Sequence, residues 1–219
     1  MTARQVVAID GPAASGKSTV AKVVAERLGV PFVSSGLLYR AATLVARSVG
    51  DGQPSAQELV EALKGRDVQL QARQDGNVIQ LDGRDITEQL TQHGIDEQVS
   101  RVASMPDVRA WVDARLRDIE GPFVIDGRDM GTAVFPDAVA KVFLTADPEV
   151  RARRRVGERD QAFDEVVKAI IARDAKDAKQ SAPASDALKV DTSRLSIDDV
   201  VTRVMAHVQD KFHAKQAAS

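Results

Sequence analysis

The sequence contains no cysteine, which excludes disulfide bonds, thiol nucleophiles and cysteine-ligated metal sites. Histidine is also scarce. His93, His207 and His213 are scattered along the chain and form no metal-ligand pattern. We therefore expect three surface histidines rather than a metal centre or a histidine-based catalytic site.

Long apolar runs are missing as well. None approaches the roughly 20 residues of a membrane span, and the N-terminus enters a predicted strand too early to contain a signal-peptide core. The net charge of −2 gives no general attraction to nucleic acid or to an anionic membrane. The 219 residues suit one domain, spanning 1–219. We therefore expect a monomeric cytoplasmic enzyme without nucleic-acid or membrane partners.

A phosphate-binding loop follows the first predicted strand. Residues 11–19 read Gly-Pro-Ala-Ala-Ser-Gly-Lys-Ser-Thr, which matches G-x-x-x-x-G-K-[ST], between an apolar run at 5–10 and a helical pattern that ends at Gly29. Such a loop wraps a polyphosphate with its N–H groups; Lys17 would reach the β- and γ-phosphates, and the Ser18 hydroxyl would ligate Mg²⁺. The residues expected to bind the nucleotide, ATP or GTP, are Gly11, Pro12, Ala13, Ala14, Ser15, Gly16, Lys17, Ser18 and Thr19.

Predicted strands and helices alternate along the rest of the chain. This order favours a three-layer α/β fold, a parallel sheet with helices on its faces. Alternating residues on either side of a Gln-Asp-Gly-Asn turn predict a small antiparallel insertion at about 66–87. An arginine-rich stretch at about 151–185 is a candidate lid. The core then comprises 4–64, 88–150 and 187–212.

Charged residues follow the predicted strand at 123–127. Asp126 lies at its carboxyl end, where Mg²⁺ is usually held, and Arg128 and Asp129 come directly after it. Further along, Arg151 and Arg155 lie four residues apart and so share one face of a predicted helix. Such a pair can clamp a nucleotide, although a solvated helix face explains an arginine run equally well.

Five stretches carry a resemblance to bacterial cytidylate kinases. Besides the P-loop, these are Ser-Ser-Gly-Leu-Leu-Tyr-Arg at 34–40, Asp-Gly-Arg-Asp-Met-Gly-Thr at 126–132, Val-Phe-Pro-Asp at 134–137, and the Arg173…Asp177 lid. The similarity covers about residues 4–210, and the G-R-D-M-G-T-x-V-F-P-D stretch is its most specific part. The insertion at 66–87 also resembles the segment that distinguishes these enzymes from adenylate kinases.

The resemblance implies transfer of the γ-phosphoryl group of ATP to CMP or dCMP, with Mg²⁺. It implies that the catalytic cations are Lys17, Arg128, Arg155 and Arg173, that Arg151 binds ATP, and that Ser18 and Asp126 hold the metal. It places the CMP phosphate on Ser35, Tyr39, Arg40 and Arg128. It assigns cytosine to Ser100, Arg109 and Asp129, and the ribose or the transferring group to Arg173 and Asp177.

Two other functions stay open on the residues alone. One is a different P-loop small-molecule kinase of the adenylate or shikimate kinase type, although a hydroxyl acceptor would call for a base and this chain is richer in phosphate-holding arginines. The other is a nucleotide-switched binding module of the GTPase type. That module needs a guanine-reading Asn-Lys-x-Asp motif, which the sequence lacks.

The lid departs from the family pattern at one position. Many relatives read Arg-Asp-x-x-Asp-x-x-Arg, and the last arginine falls at Gln180 here. Glutamine cannot neutralise phosphate, so we expect Lys176 or Lys179 to supply the charge.

Alanine at the compensating lysine should therefore lower kcat strongly, while Gln180→Ala should change it little. Steady-state kinetics of the three variants check this. A crippled Gln180→Ala enzyme beside two active lysine variants would instead make the glutamine itself the ligand contact.

Overall fold

The computed structural model describes residues 5–73, 76–91, 93–156, 163–177 and 181–217. Its strands, in chain order, are β1 (Val6–Asp10), β2 (Phe32–Ser34), β3 (Val68–Arg73), β4 (Gly76–Leu81), β5 (Arg84–Asp85), β6 (Phe123–Gly127), β7 (Ala140–Thr145) and β8 (Leu188–Asp191). Its α-helices are α1 (Lys17–Leu28), α2 (Gly36–Ala46), α3 (Ala56–Lys64), α4 (His93–Ala103), α5 (Pro106–Arg117), α6 (Pro148–Val156), α7 (Phe163–Asp177) and α8 (Ile197–Ala217). None of the helices in these ranges is long and apolar enough to cross a membrane.

The chain forms two compact units, one of Met1–Val30 with Gly121–Ser219 and one of Pro31–Glu120. In the first unit, four parallel strands are hydrogen-bonded in the order β6-β1-β7-β8. Every residue of β1 and of β6 is buried, as expected of central strands whose apolar side chains are covered on both faces. Helices α1 and α8 pack together and flank this sheet. The predicted parallel α/β core is confirmed.

Helix α1 shows how the loop before it is positioned. Val20, Ala21, Val24 and Ala25 recur at helical spacing and are buried. Gly16 precedes the helix with φ +90° and Gly29 ends it with φ +67°, and both angles favour glycine. The helix therefore starts at Lys17, and its free N–H groups lie at the end of the glycine loop.

The second unit contains the predicted insertion. Strands β3, β4 and β5 form an antiparallel sheet from Val68 to Asp85, which lies inside the predicted bounds of 66–87. Asn77 on β4 bonds to β2, since its Oδ1 accepts from the N–H of Ser34 at 3.0 Å and its Nδ2 donates to Phe32 O at 2.9 Å. A side-chain amide thus replaces a backbone ladder between these strands.

The pattern of residues 96–119 predicts one mostly helical stretch with an interruption near 105–106, and the structure has helices α4 and α5 there. The interruption is confirmed, because Pro106 is the first residue of α5 and proline is tolerated only in the first turn. The start was placed three residues too late, since α4 begins at His93. A helix end without a strong capping residue is poorly marked in sequence.

Helices α6 and α7 occupy the stretch predicted as a lid. They pack together through a small apolar cluster of Ala152, Val166 and Ile170. Residues 157–162 and 178–180 lie outside the described ranges, and with them Lys179 and Gln180; the side chains of Lys176 and Asp177 lie outside as well. The proposed lid charges therefore stay predictions.

Candidate active site

The loop of residues 11–16 forms a tight turn between β1 and α1. The N–H of Ser15 donates to Pro12 O at 3.4 Å, and Ala14 has φ +57°. A Cβ built on Gly11 would lie 2.1 Å from Leu144 O, at the end of β7, so only glycine fits there. The Ser15 side chain is fully buried, and its Oγ has no hydrogen-bond partner within the described ranges. The loop thus presents N–H groups and a buried hydroxyl, as phosphate binding requires.

Lys17 lies among other cations. Its Nζ donates to Pro12 O at 3.0 Å. Burial lowers the pKa of Lys17 to about 8, and the positive charges of Arg128 and Arg173 lower it further, against the opposing effects of Asp126 and Asp10. Two of the other predicted catalytic cations, Arg128 and Arg173, therefore act electrostatically on Lys17. Arg155, the fourth, is half-buried on α6.

Ser18 and Asp126 are the predicted metal ligands, and the structure brings them together. The Ser18 hydroxyl donates to the Asp126 carboxylate, which is buried at the end of β6. A hydroxyl and a carboxylate are hard oxygen donors, which fit a hard divalent cation. No group of three or more histidine, aspartate or glutamate side chains forms a metal cage within the described residues.

Asp10 is a functional residue that the sequence reasoning missed. Its Oδ1 accepts from the N–H of Met130 at 2.8 Å and its Oδ2 from the N–H of Gly131 at 2.7 Å. A Cβ built on Gly131 would lie only 3.3 Å from Asp10 Oδ2, so the approach is close. The signal was available: Asp10 ends β1 as a carboxylate, the same feature that singled out Asp126 at the end of β6.

Burial raises the pKa of Asp10 to about 6, against the lowering effect of the two backbone hydrogen bonds. Because the folded-state pKa exceeds the ordinary value of 3.8, stability from Asp10 is greatest below pH 3.8 and falls as the pH rises through about 6. At neutral pH the ionised carboxylate is therefore kept at a cost to folding. The hydrogen bonds from Met130 and Gly131 hold the neighbouring loop against this carboxylate.

That neighbouring loop carries Arg128 and Asp129. Arg128 is half-buried and its Nη1 donates to Gly11 O at 3.2 Å, while Asp129 is buried. The backbone then makes a π-helical turn at Met130–Val134, in which Ala133 N donates to Asp129 O at 2.8 Å. Two predicted site residues are thus tied to the P-loop through Gly11 and Asp10.

Helix α6 lies against the P-loop through two arginines. Arg151, predicted to bind ATP, is 3% exposed; it donates to Ala146 O, Ala13 O and the carboxylate of Asp174. Arg154, which the sequence did not single out within the arginine run, donates to Oγ1 and O of Thr192, and the Thr192 hydroxyl donates to Ser15 O at 3.1 Å. The observed partners of both arginines are protein atoms.

In the second unit, the predicted acceptor residues lie mostly on α2, α4 and α5. Ser35, immediately before α2, and Tyr39 within it are buried. Arg40 donates from Nη1 to Leu90 O at 2.8 Å. Arg109 lies with its guanidinium carbon 5.8 Å from the centre of the Tyr39 ring, and Ser100 is half-buried on α4. The structure thus brings Tyr39 and Arg109 together, a predicted phosphate ligand and a predicted base reader.

The family model and the curated relatives that match this sequence belong to one family. A family model described as cytidylate kinase matches residues 7–210. A curated cytidylate kinase from Thermus thermophilus is 52% identical over 206 residues, which cover 94% of this chain and 99% of the relative. One from Deinococcus radiodurans is 48% identical over 203 residues, 93% of this chain and 98% of the relative. Among solved structures, a gluconokinase from Sinorhizobium meliloti 1021 matches with a TM-score of 0.54 and 15% identity over 98% of this chain and 97% of its own, a likeness in fold alone.

The lowered pKa of Lys17 leads to a stability prediction. Its folded-state value of about 8 lies below the ordinary 10.5, so the charged side chain costs stability below pH 8, and the cost shrinks as the pH rises towards 10.5. Lys17→Met should therefore stabilise the unliganded protein by about 1–3 kcal/mol at pH 7, while removing phosphoryl transfer.

Urea unfolding at pH 7 and at pH 9.5, together with a kinase assay, measures both effects. Lys22→Met, an exposed lysine on the same helix, is the control. Equal stabilities of the Lys17 and Lys22 variants at pH 7, or transfer activity retained without Lys17, would contradict the assignment.

Proposed function

Because the chain belongs to the cytidylate kinase family, we propose that it transfers the γ-phosphoryl group of ATP to CMP or dCMP, giving CDP or dCDP. The observation that carries the proposal is the 52% identity to a curated cytidylate kinase over nearly the whole of both chains. The interacting charges of Lys17, Arg128 and Arg173 support it from the structure. Both units act in one kinase domain.

The reaction needs alignment and charge neutralisation rather than a base. The acceptor is an ionised phosphate oxygen, so no proton has to be removed before it attacks. Negative charge spreads over the transferring group, and preorganised cations stabilise it. Lys17, Arg128, Arg155 and Arg173 supply this charge. The repulsion of Lys17 by Arg128 and Arg173 in the unliganded protein is relieved when the phosphates bind.

ATP is bound by the loop of residues 11–19 with support from Arg151. The N–H groups of the loop and of the first turn of α1 donate to the phosphates. The buried Ser15 hydroxyl, which has no partner in the described part of the chain, gains an acceptor when a phosphate oxygen enters the loop. Arg151 acts on the same loop through its hydrogen bond to Ala13 O, at 3.3 Å.

Ser18 and Asp126 would hold the metal ion, which we propose is Mg²⁺. Such an ion would neutralise charge on the phosphates of ATP. Ser18 and Asp126 bond to each other here, so this hydrogen bond would break before the Ser18 oxygen could face a cation. The two oxygen donors leave the remaining ligand positions to phosphate and water, as Mg²⁺ prefers.

Different residues bind the phosphate, the base and the ribose of CMP. Ser35, Tyr39, Arg40 and Arg128 bind its phosphate, Ser100, Arg109 and Asp129 read cytosine, and Arg173 and Asp177 reach the ribose or the transferring group. Cytosine presents an amino donor beside acceptors, which an aspartate and an arginine match. Uracil exchanges that donor for an acceptor and leaves buried polar groups unpaired, at a cost of about 1–3 kcal/mol for each.

The alternative kinases and the switch module are not favoured by the family assignment. We further propose that the enzyme is a monomer that works in the cytoplasm, with ATP and CMP or dCMP as its partners. The net charge of −2 supports the proposal that neither nucleic acid nor membrane is bound.

A coupled ADP-release assay with ATP and Mg²⁺ tests the function across CMP, dCMP, UMP, AMP and GMP, with shikimate and gluconate as hydroxyl acceptors. We expect CMP and dCMP to give the highest kcat/KM. A preference for AMP, or for either hydroxyl acceptor, would overturn the proposal.

The proposed base readers lead to a specificity prediction. Arg109→Ala and Asp129→Ala should each raise the KM for CMP by about tenfold to a hundredfold, because a buried hydrogen-bonding group is lost, while the KM for ATP changes little. Separate titrations of the two substrates measure the difference. Arg117→Ala, an exposed arginine on the same helix as Arg109, is the control. Equal weakening of CMP and ATP would count against a base-reading role.

A further inference from the structure

The guanidinium of Arg151 joins three segments that are distant in sequence. Its Nε donates to Ala146 O at 2.8 Å, after β7, and its Nη1 to Ala13 O at 3.3 Å, in the P-loop. Nη1 and Nη2 also donate to the two oxygens of Asp174 on α7, at 3.1 and 2.5 Å. The Arg151 side chain is 4% exposed and that of Asp174 31% exposed. Such a planar, two-pronged contact fixes orientation as well as distance.

We propose that Arg151 and Asp174 are positioning residues that fix the rotation of α7 against the P-loop and so set the direction of Arg173, the residue before Asp174. The proposal rests on the proposed function, because Arg173 is there a catalytic cation. In this proposal, Arg151 acts through its hydrogen bonds to other groups of the protein. Asp174, to which the proposed function assigns no role, acts as the partner of Arg151.

The packing of α6 against α7 cannot fix this rotation by itself. The cluster of Ala152, Val166 and Ile170 is apolar, and hydrophobic contact has no direction. Asp174 takes the next position of the same face, four residues after Ile170, and adds a directional contact there. Since successive helical residues are about 100° apart, a fixed Asp174 also fixes the direction of Arg173.

Arg173 comes directly before Asp174 on α7, and the ion pair links this turn of the helix to the P-loop. Arg151 donates to the Asp174 carboxylate and, through Nη1, to Ala13 O. Asp174, the next residue along α7, carries the opposite charge but is bound to Arg151. The ion pair thus keeps the carboxylate on Arg151 while the neighbouring arginine contributes positive charge to the phosphate site.

A kinetic test uses Asp174→Asn, Arg151→Lys and Arg173→Lys. Asp174→Asn should lower kcat by about tenfold to a hundredfold with little change in the KM for CMP, because misplaced groups slow the chemical step. In the Arg173→Lys background, Asp174→Asn should have almost no further effect, and Asp174→Glu should retain more activity than Asp174→Asn. Glu149→Gln breaks an exposed pair with Arg153 on α6 and is the matched control.

Two kinetic results would overturn the proposal. One is an unchanged kcat in Asp174→Asn and Arg151→Lys. The other is a double variant, Asp174→Asn with Arg173→Lys, whose kcat falls by the product of the two single-variant factors. That result would mean that Asp174 does not act through Arg173. If Asp174→Asn only destabilised the protein, it would lower the active fraction equally in the wild-type and Arg173→Lys backgrounds. The double variant therefore separates a stabilising role of Asp174 from a positioning role.

Hydrogen exchange provides a readout that does not depend on the reaction. Amides of α7 should exchange faster in Asp174→Asn and Arg151→Lys than in wild type or Glu149→Gln, while those of β1 should not change. Unchanged exchange in α7 would contradict the positioning role. Absence of CMP kinase activity in the wild-type protein would instead overturn the proposed function, and the exchange result would still decide whether this ion pair holds α7.

Discussion

The carboxylate of Asp10 binds two backbone N–H groups at the carboxyl end of the sheet, and the geometry of the phosphate site depends on this contact. Strands β1 and β6 are parallel neighbours, with Asp10 opposite Gly127, so their following loops emerge side by side. One loop carries Lys17 and the other Arg128 and Asp129. The two hydrogen bonds from Met130 and Gly131 fix the second loop against the first. A donor and an acceptor nucleotide can then meet cations that are already in place.

This arrangement keeps charges where folding alone would not favour them. The pKa of Lys17 is lowered and that of Asp10 is raised, and burial is the first cause of both shifts. Each shift means that the ionised group opposes folding at neutral pH in the unliganded protein. A polyphosphate supplies negative charge beside Lys17, so substrate binding relieves the part of this cost that Lys17 carries. A site that is destabilised before its substrate binds is a common trade-off between stability and activity.

Sequence patterns predicted those structural elements that depend only on residues close together in the chain. The glycine loop, the buried strands at 6–10 and 123–127, the antiparallel insertion and the break at Pro106 each depend on neighbouring residues, and the structure confirms them. The roles of Asp10 and Asp174 depend instead on partners 120 and 23 residues away, on Met130 and Arg151. Helical spacing placed Arg151 and Arg155 on one face but gave no sign of the carboxylate that Arg151 meets. The position of Asp10 at the end of β1 could have marked it as a candidate, but a hydrogen bond between distant segments has no periodicity, so pattern reasoning cannot identify the partner.

The order of the strands has a consequence for synthesis on the ribosome. Strand β1 lies between β6 and β7. Val6 therefore cannot pair until Phe123 has been synthesised, and Val7 cannot pair with β7 until Ala140 has been synthesised. At bacterial elongation rates of about 5–20 residues per second, the delay is roughly 6–25 s. During that time an apolar strand of sequence Val-Val-Ala-Ile-Asp stays without its strand partners, while the local pairing of β3 with β4 can already form. The nascent chain can thus complete its hairpin sheet first and its central parallel strand late.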